Sequence, residues 1–233
     1  MTTKAIEVVS ATRLSREDFI ARSALGISLQ RLGDERITAS IAFQNRAGLP
    51  AVYNHRIERS SSRVLLFVHD DVWLDDIFLA DRRLDAVTRY DIVGVAGNTR
   101  CADDQASWAF VDDALTWDAE AHLSGAIANG IEPFGRISRF GPSPAACRLL
   151  DGVFLATRVD ALRDADVRFD EQFAFHCYDS DVCRTAHARG LRIGTWPVSI
   201  THQSGGRFRS DGWRDAARRF RRKWAMASGT TSA

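Results

Sequence analysis

The chain has 233 residues, of which 45% are hydrophobic and 26% charged, a composition typical of a globular protein with one large core. Its 31 basic and 30 acidic residues leave a net charge of +1, so no overall field attracts nucleic acid or a membrane surface. The first residues lack the apolar core of a signal peptide, and no apolar run approaches the ~18 residues that span a bilayer. We therefore expect a single cytoplasmic domain.

The first 60 residues alternate between strand and helix patterns. Ile6 to Ser10 predicts a strand, and Ser15 followed by Asp18 resembles a capping box that opens a helix. A second strand is predicted over residues 37–43 and a short helix over residues 51–59. Such alternation favours a Rossmann-like parallel sheet. The chain has neither GxGxxG nor GxxxxGK[ST] after a strand, which argues against a dinucleotide fold and a P-loop.

The most informative stretch is the apolar run Val64 to Val68, which ends in His69-Asp70-Asp71. Five consecutive apolar residues indicate a strand buried on both faces, as in a parallel sheet. Ligands of open α/β sheets bind beyond the carboxyl ends of strands, and carboxylate with imidazole suits a divalent cation. The alternative is a solvated strand end in which the Asp pair caps the next helix.

The middle of the chain predicts one more helix and strand before its character changes. A helix over residues 75–90 would turn Ile77, Phe78, Leu84 and Val87 inward, and residues 91–97 predict a buried strand. From residue 100 to 144 we expect short strands and a long loop. Its aromatic residues would either fill a small β layer or form an acceptor or base platform; they are Trp108, Trp117, Phe134 and Phe140.

The last third carries a second set of polar residues. Asp151-Gly152 leads into a strand over residues 153–157, followed by a helix over residues 159–164. Asp179 or Ser180 is predicted to cap a helix that Gly190 closes. A final strand over residues 191–200 precedes Thr201-His202, and residues 213–224 predict a basic helix. Its basic face would be solvated or would meet an acidic ligand or partner.

The four cysteines, Cys101, Cys147, Cys177 and Cys183, form no CxxC pair. Neither a zinc ribbon nor a thioredoxin-type motif is therefore expected. We predict that all four are reduced and mostly structural.

In their order along the chain these motifs resemble the GT-A fold nucleotide-sugar glycosyltransferases. The similarity is to the family-2-like group that includes the streptomycin-biosynthesis type of domain, and it extends from about residue 45 to residue 206. Residues that carry it are Gly48 to Asn54, Phe67 to Val72, Asp151 to Phe154, Phe169 to Glu171, His176 to Asp181 and Thr201-His202.

The resemblance implies a metal site, a donor site and an acceptor site. It places Mn²⁺ or Mg²⁺ on His69, Asp71 and His202, with His69 standing where the family's DxD motif has its first acid. Asp179 matches the general base of inverting members, and Tyr178 replaces the Glu that precedes that base in relatives. The implied donor contacts are Asn45, Asn54 and Asp70, and the implied acceptor contacts are Asp151, Gly152 and His176.

Each of three implied residues also has a purely structural interpretation. His176 could be a satisfied structural histidine, and Asp181 a helix cap rather than a catalytic group. Asp151 could simply fix the turn before its strand.

The resemblance implies a single domain with residues 1–99 as its nucleotide-binding half, residues 100–206 as its acceptor half and residues 207–233 as a basic C-terminal helix. The expected activity is metal-dependent, inverting transfer of a sugar from a nucleotide-diphosphosugar to an acceptor hydroxyl. One alternative is a non-catalytic nucleotide- or sugar-binding module of the same fold. The other alternative is a metal phosphoesterase. Those enzymes need further His and Asp ligands on helices, whereas His69-Asp70 here ends a strand, which argues against this class.

Overall fold

The computed structural model of the chain describes residues 5–204, 208 and 210–229. Residues 1–4 and the predicted boundary between residues 206 and 207 lie outside that part. The helices are α1 Arg16–Arg22, α2 Ala24–Leu32, α3 Leu49–Arg59, α4 Leu79–Arg89, α5 Val159–Asp164, α6 Tyr178–Ala188 and α7 Asp211–Gly229. The strands are β1 Ile6–Ala11, β2 Ile37–Ala42, β3 Val64–Val68, β4 Val72–Leu74, β5 Ile92–Gly94, β6 Ala96–Asn98, β7 Leu123–Asn129, β8 Arg136–Gly141, β9 Ala145–Ala146, β10 Leu149–Leu150, β11 Phe154–Arg158, β12 Ile193–Thr195 and β13 Ile200–His202. None of the helices in this part is long and apolar enough to cross a membrane.

The main sheet has seven strands in the order β2-β1-β3-β11-β5-β12-β9. Strands β1, β2, β3, β5 and β12 run in one direction, whereas β11 and β9 run in the other. The predicted α/β fold with a mostly parallel central sheet is confirmed. All five residues of β3 are buried, as expected of a strand covered on both faces.

A second sheet, in the order β10-β6-β7-β13-β4 with β8 paired to β7, takes its two longest strands, β7 and β8, from the region predicted to hold short strands and a long loop. Most of its core aromatics pack on one another: Trp108 lies edge-on to Phe140, with ring centroids 4.9 Å apart. Trp117 stacks on Phe140 at 5.9 Å and remains half exposed. Trp108 and Phe140 therefore fill a small β layer, and Trp117 packs on it with one face in solvent. The prediction is wrong for Phe134, which is 71% exposed.

The predicted start of the helix after the central strand is wrong. Helix α4 begins at Leu79 and not at residue 75, because Asp75 and Asp76 are buried and bound to other groups. Asp75 Oδ2 accepts hydrogen bonds from Phe134 N and from the Thr201 hydroxyl. As a consequence Ile77 and Phe78, predicted to face inward, are 76% and 58% exposed.

Helix α6 begins at Tyr178, two or three residues earlier than a cap at Asp179 or Ser180 predicts. Cys177 holds the N-cap position with φ +63° and caps through no side chain, so Asp179 and Ser180 lie in the first turn. The predicted end is confirmed, since Gly190 follows the helix in the left-handed conformation at φ +79°.

Other boundaries also differ from the predicted ones. The first predicted helix is two helices, because Ser23 ends α1 and its hydroxyl caps α2 by accepting from Gly26 N. The last predicted strand is divided into β12 and β13, which belong to different sheets.

Candidate active site

Four chain segments meet at the carboxyl end of β3. Strand β11 runs antiparallel to β3 with Phe154 opposite Val68, so Asp151-Gly152 precedes β11 beside the end of β3. Strand β13 places His202 opposite Val72, just beyond His69-Asp70-Asp71. The first turn of α6 completes the site, because a Cβ on Gly152 would lie 2.4 Å from the Tyr178 hydroxyl. Only glycine permits this close approach.

His69, Asp71 and His202 form a group whose ligand atoms all lie within 4.8 Å of one another. The Oδ1 atom of Asp71 is buried without a well-aligned hydrogen bond, and His202 Nε2 lies 3.3 Å from it. A buried carboxylate oxygen that lacks a hydrogen bond is costly unless something else satisfies it. One oxygen and two imidazoles fit a divalent transition metal, so these residues could hold such an ion.

The electrostatics favour the metal-binding protonation states of Asp71 and His69 but not that of His202. Burial would lower the pKa of His202, but its hydrogen bond to Asp71 raises that pKa and favours the protonated ring. Burial by itself would raise the pKa of Asp71, but the His202 ring, helped by His69, lowers that pKa to about 2. Burial lowers the pKa of His69 and thus favours its neutral form. Ionised carboxylate and neutral imidazole are the forms that bind metals.

Tyr178 orients His69. Its hydroxyl donates to Gly152 O at 2.8 Å, and His69 Nε2 lies 2.9 Å from the same hydroxyl oxygen. Because a carbonyl oxygen can only accept, the tyrosine proton is committed to Gly152, and His69 Nε2–H must donate to the tyrosine oxygen. The other ring nitrogen, Nδ1, is then free to bind a metal. A hydrogen-bonded outer partner of this kind is usual for metal-binding histidines.

Asp179 projects from the first turn of α6 next to Gly152. Its Oδ2 accepts from Gly152 N at 3.0 Å and its Oδ1 from Ser180 N at 2.9 Å. Burial, with a contribution from the charge of Asp151, raises the pKa of Asp179 to about 7 although these backbone donors act against it. A carboxylate with this pKa can take up and release a proton near neutral pH.

Both carboxylate oxygens of Asp151 are engaged. Oδ1 accepts from Val153 N and Oδ2 from Trp108 Nε1, each at 2.8 Å. The first bond fixes the turn before β11, as the structural interpretation proposed. Sequence reasoning did not link Trp108 to Asp151, because the two are 43 residues apart and no local pattern joins them.

The other predicted site residues lie around this centre. His176 adjoins Phe175, which stacks over His69 with ring centroids 5.8 Å apart. Asp70 lies beside Thr12, at the carboxyl end of β1, and burial raises the pKa of its carboxyl.

The two asparagines predicted to bind the donor make hydrogen bonds to the backbone of the chain itself. The Asn54 amide bonds both the O and the N of Phe169, and the Asn45 side chain bonds Ala47. Their predicted contacts with the donor remain predictions.

Comparisons with known proteins identify the family. A model of the glycosyltransferase-like family matches residues 31–213. No curated protein sequence matches the chain.

The mannosyltransferase PcManGT from Pyrobaculum calidifontis, solved with GDP-Man and Mn²⁺, aligns with a TM-score of 0.54 and 11% identity over 98% of this chain. TarS residues 1–349 from S. aureus, solved with UDP-GlcNAc, align with a TM-score of 0.45 and 14% identity over 91% of this chain. The chain spans 64% of the length of each of these two structures. Since the family model covers most of the sequence and the architecture agrees with the PcManGT fold, the chain belongs to the glycosyltransferase-like family and has the GT-A fold.

Proposed function

We propose that this protein transfers a sugar from a nucleotide-diphosphosugar to an acceptor hydroxyl with inversion, assisted by a divalent metal. The observation that carries the proposal is the convergence of two groups on Gly152. The metal-ligand set His69, Asp71 and His202 is joined to Gly152 by Tyr178, whose hydroxyl contacts His69 and donates to Gly152 O. The carboxylate of Asp179 accepts from Gly152 N. Leaving-group stabilisation and proton removal, the two requirements of glycosyl transfer, are thus met by neighbouring residues.

Asp179 is the proposed general base. In an inverting displacement the acceptor oxygen forms a bond to the anomeric carbon while the bond from that carbon to the diphosphate oxygen breaks. The acceptor proton passes to the Asp179 carboxylate, and the electron pair of the broken bond leaves with the diphosphate. A positioned base contributes typically about 10²–10⁴-fold to such a step.

His69, Asp71 and His202 would hold the metal, which would offset the negative charge that develops on the departing diphosphate. Two imidazoles in the donor set favour Mn²⁺ over Mg²⁺, because Mg²⁺ prefers oxygen ligands. Tyr178 holds the His69 ring in the required orientation. Asp70, Asn45 and Asn54 are proposed donor contacts, and Asp151, Gly152 and His176 are proposed to line the acceptor side.

The test combines calorimetry with a product assay. UDP and GDP are titrated into the protein with Mn²⁺, with Mg²⁺ and with chelator, and donors are then incubated with a panel of hydroxyl-bearing acceptors. We expect metal-dependent nucleotide binding and acceptor-dependent release of nucleoside diphosphate. Binding without turnover on any acceptor would favour a non-catalytic module. Phosphate release without an acceptor would instead indicate a phosphoesterase.

A further inference from the structure

The main sheet has an open edge at β2. Strand β2 pairs only with β1 and ends the strand order. Ile6 N donates to Arg36 O and Thr12 N donates to Ala42 O, so the backbone groups of even-numbered residues face β1. By alternation the N–H and C=O groups of Ala39 and Ile41 point away from the sheet, and no strand of the described part of the chain pairs with them.

This edge lacks the usual protection against strand pairing. Exposed edge strands are normally interrupted by charged side chains, proline or a bulge. Strand β2 reads Ile-Thr-Ala-Ser-Ile-Ala and contains neither a charged residue nor a proline. Its pairing with β1 continues through all six residues without a shift in register.

The edge lies at the bottom of a slot between helices. A cleft of about 900 Å³ is lined by every residue of β2 and by side chains of α1, α2 and α3. The chain moves outward from β1 to β2 and returns past β1 to β3, and both crossovers join parallel strands. Right-handed crossovers in opposite directions place α1–α2 and α3 on opposite faces of the sheet. A strand added to β2 would therefore bury both of its faces, mainly against apolar groups such as Phe19, Leu29 and Val52.

One end of the slot carries an uncompensated positive charge. The Arg16 guanidinium lies 4.7 Å from the centre of the Phe43 ring, at the carboxyl end of β2, and forms no ion pair with a carboxylate of residues 5–204 or 210–229. The other charged groups of the lining have partners: Asp34 pairs with Arg36, and Arg56 pairs with Glu7.

We propose that this slot binds an extended segment of another polypeptide as an additional β-strand. The segment exchanges backbone hydrogen bonds with Ala39 and Ile41, is apolar on both faces and carries an acidic side chain next to Arg16. Strand addition of this kind takes affinity from the main chain and specificity from side-chain contacts. A second copy of this chain does not fit, because its described strands are held in its own sheets and its own β2 edge lies recessed between helices.

The experiment selects decapeptides from a displayed random library on the wild-type protein and measures their affinities by calorimetry. Ala39→Pro removes an outward N–H that β1 does not use, and proline is tolerated on edge strands. It should weaken the selected peptides at least tenfold, whereas the matched control Ala39→Val should bind them normally. In hydrogen exchange the amides of Ala39 and Ile41 should be protected only when the peptide is bound.

Two measurements need no proline variant. N-methylation of the peptide amides that face β2 should abolish binding, whereas methylation of the alternate amides should not. Arg16→Glu should weaken acid-bearing peptides, and replacing the peptide acid by lysine should restore their binding to that variant. Selection of no binder, or of peptides that bind Ala39→Pro and Ala39→Val equally, overturns the proposal. UDP and GDP binding serves as a separate readout, so failure here leaves the proposed transferase activity untouched.

Discussion

Asp71 and Asp179 are chemically identical side chains whose surroundings shift their pKa values in opposite directions. The His202 ring lowers the pKa of Asp71 to about 2, whereas burial and the nearby Asp151 raise that of Asp179 to about 7. Carboxylates with divergent pKa values within one site commonly have different chemical roles. The permanently ionised group is suited to hold a cation, and the group that titrates near neutrality is suited to transfer a proton.

This assignment predicts different losses for two matched substitutions. Asp71→Asn should weaken Mn²⁺-dependent nucleotide binding, because it removes the only carboxylate of the ligand set. Asp179→Asn should lower turnover by about 10²–10⁴-fold and leave nucleotide affinity unchanged. Calorimetry and initial rates on both folded variants measure the difference. Full turnover in Asp179→Asn, or equal loss of nucleotide binding in both variants, would assign the base to another residue.

The raised pKa of Asp179 also predicts the pH dependence of the proposed transfer by the wild-type protein. A general base acts only when ionised, so kcat/KM should rise as pH increases through about 7 and level off above it. Stability should change in the opposite sense. The folded state holds the Asp179 proton more tightly than the unfolded state, so this carboxyl lowers stability as pH rises from its ordinary pKa to about 7. Rate profiles and urea unfolding across this range test the two predictions. The rates are measured from about pH 6 to about pH 8, roughly one pH unit on each side of this pKa. A rate that does not change over this range would contradict the predicted rise in kcat/KM.

At the scale of elements, Asp181 joins the C-terminal helix to the rest of the domain. It is fully buried in α6, where its carboxylate accepts from Lys223 Nζ at 2.9 Å and from Trp224 Nε1 at 3.0 Å, both on α7. Lys223 also bonds Asp170 at 2.8 Å. Asp181 is therefore neither a helix cap nor a catalytic group, and the basic helix is not solvated all round.

Lys223→Met should destabilise the protein by about 3 kcal/mol, because breaking a buried ion pair leaves a charge without its partner. The matched control is Arg218→Met on the same helix, where the side chain is 67% exposed and pairs with the exposed Asp215. That change should cost less than about 0.5 kcal/mol. Urea unfolding at pH 7 compares the two, and similar losses would mean that the buried pair does not anchor α7.

The local elements were predictable where a single residue carried the signal. The Ser15 cap was predicted, and Ser15 Oγ accepts from Asp18 N at 3.1 Å. The start of α4 was not predictable, because Asp75 is bound by Phe134 and Thr201, which lie 59 and 126 residues further along the chain and leave no signal in the local pattern. Long-range partners decided this boundary, whereas the break between α1 and α2 depends on the local cap Ser23.

At the scale of the whole molecule, the site exists because antiparallel β11 lies beside β3 in the main sheet. The apolar run of β3 predicted where its polar residues would emerge. A pattern along one strand carries no information about direction, so it could not predict that β11 would return Asp151-Gly152 to the same end. The resemblance to known enzymes supplied the ordered motifs, and the register between strands explains why they meet.

The four cysteines test the whole fold at once. Burial raises the pKa of each thiol, that of Cys147 to about 11, so few thiolates form at mildly alkaline pH. Cys101 is partly exposed, whereas the other three are buried. In native protein Cys101 should therefore react first with a thiol reagent, and the buried thiols should react only as the domain unfolds. Titration in urea without reductant should then find all four sulfhydryls. Finding two or fewer would reveal a disulfide and contradict the reduced state, and rapid native reaction of all four would contradict the packing around β5, β12 and α6.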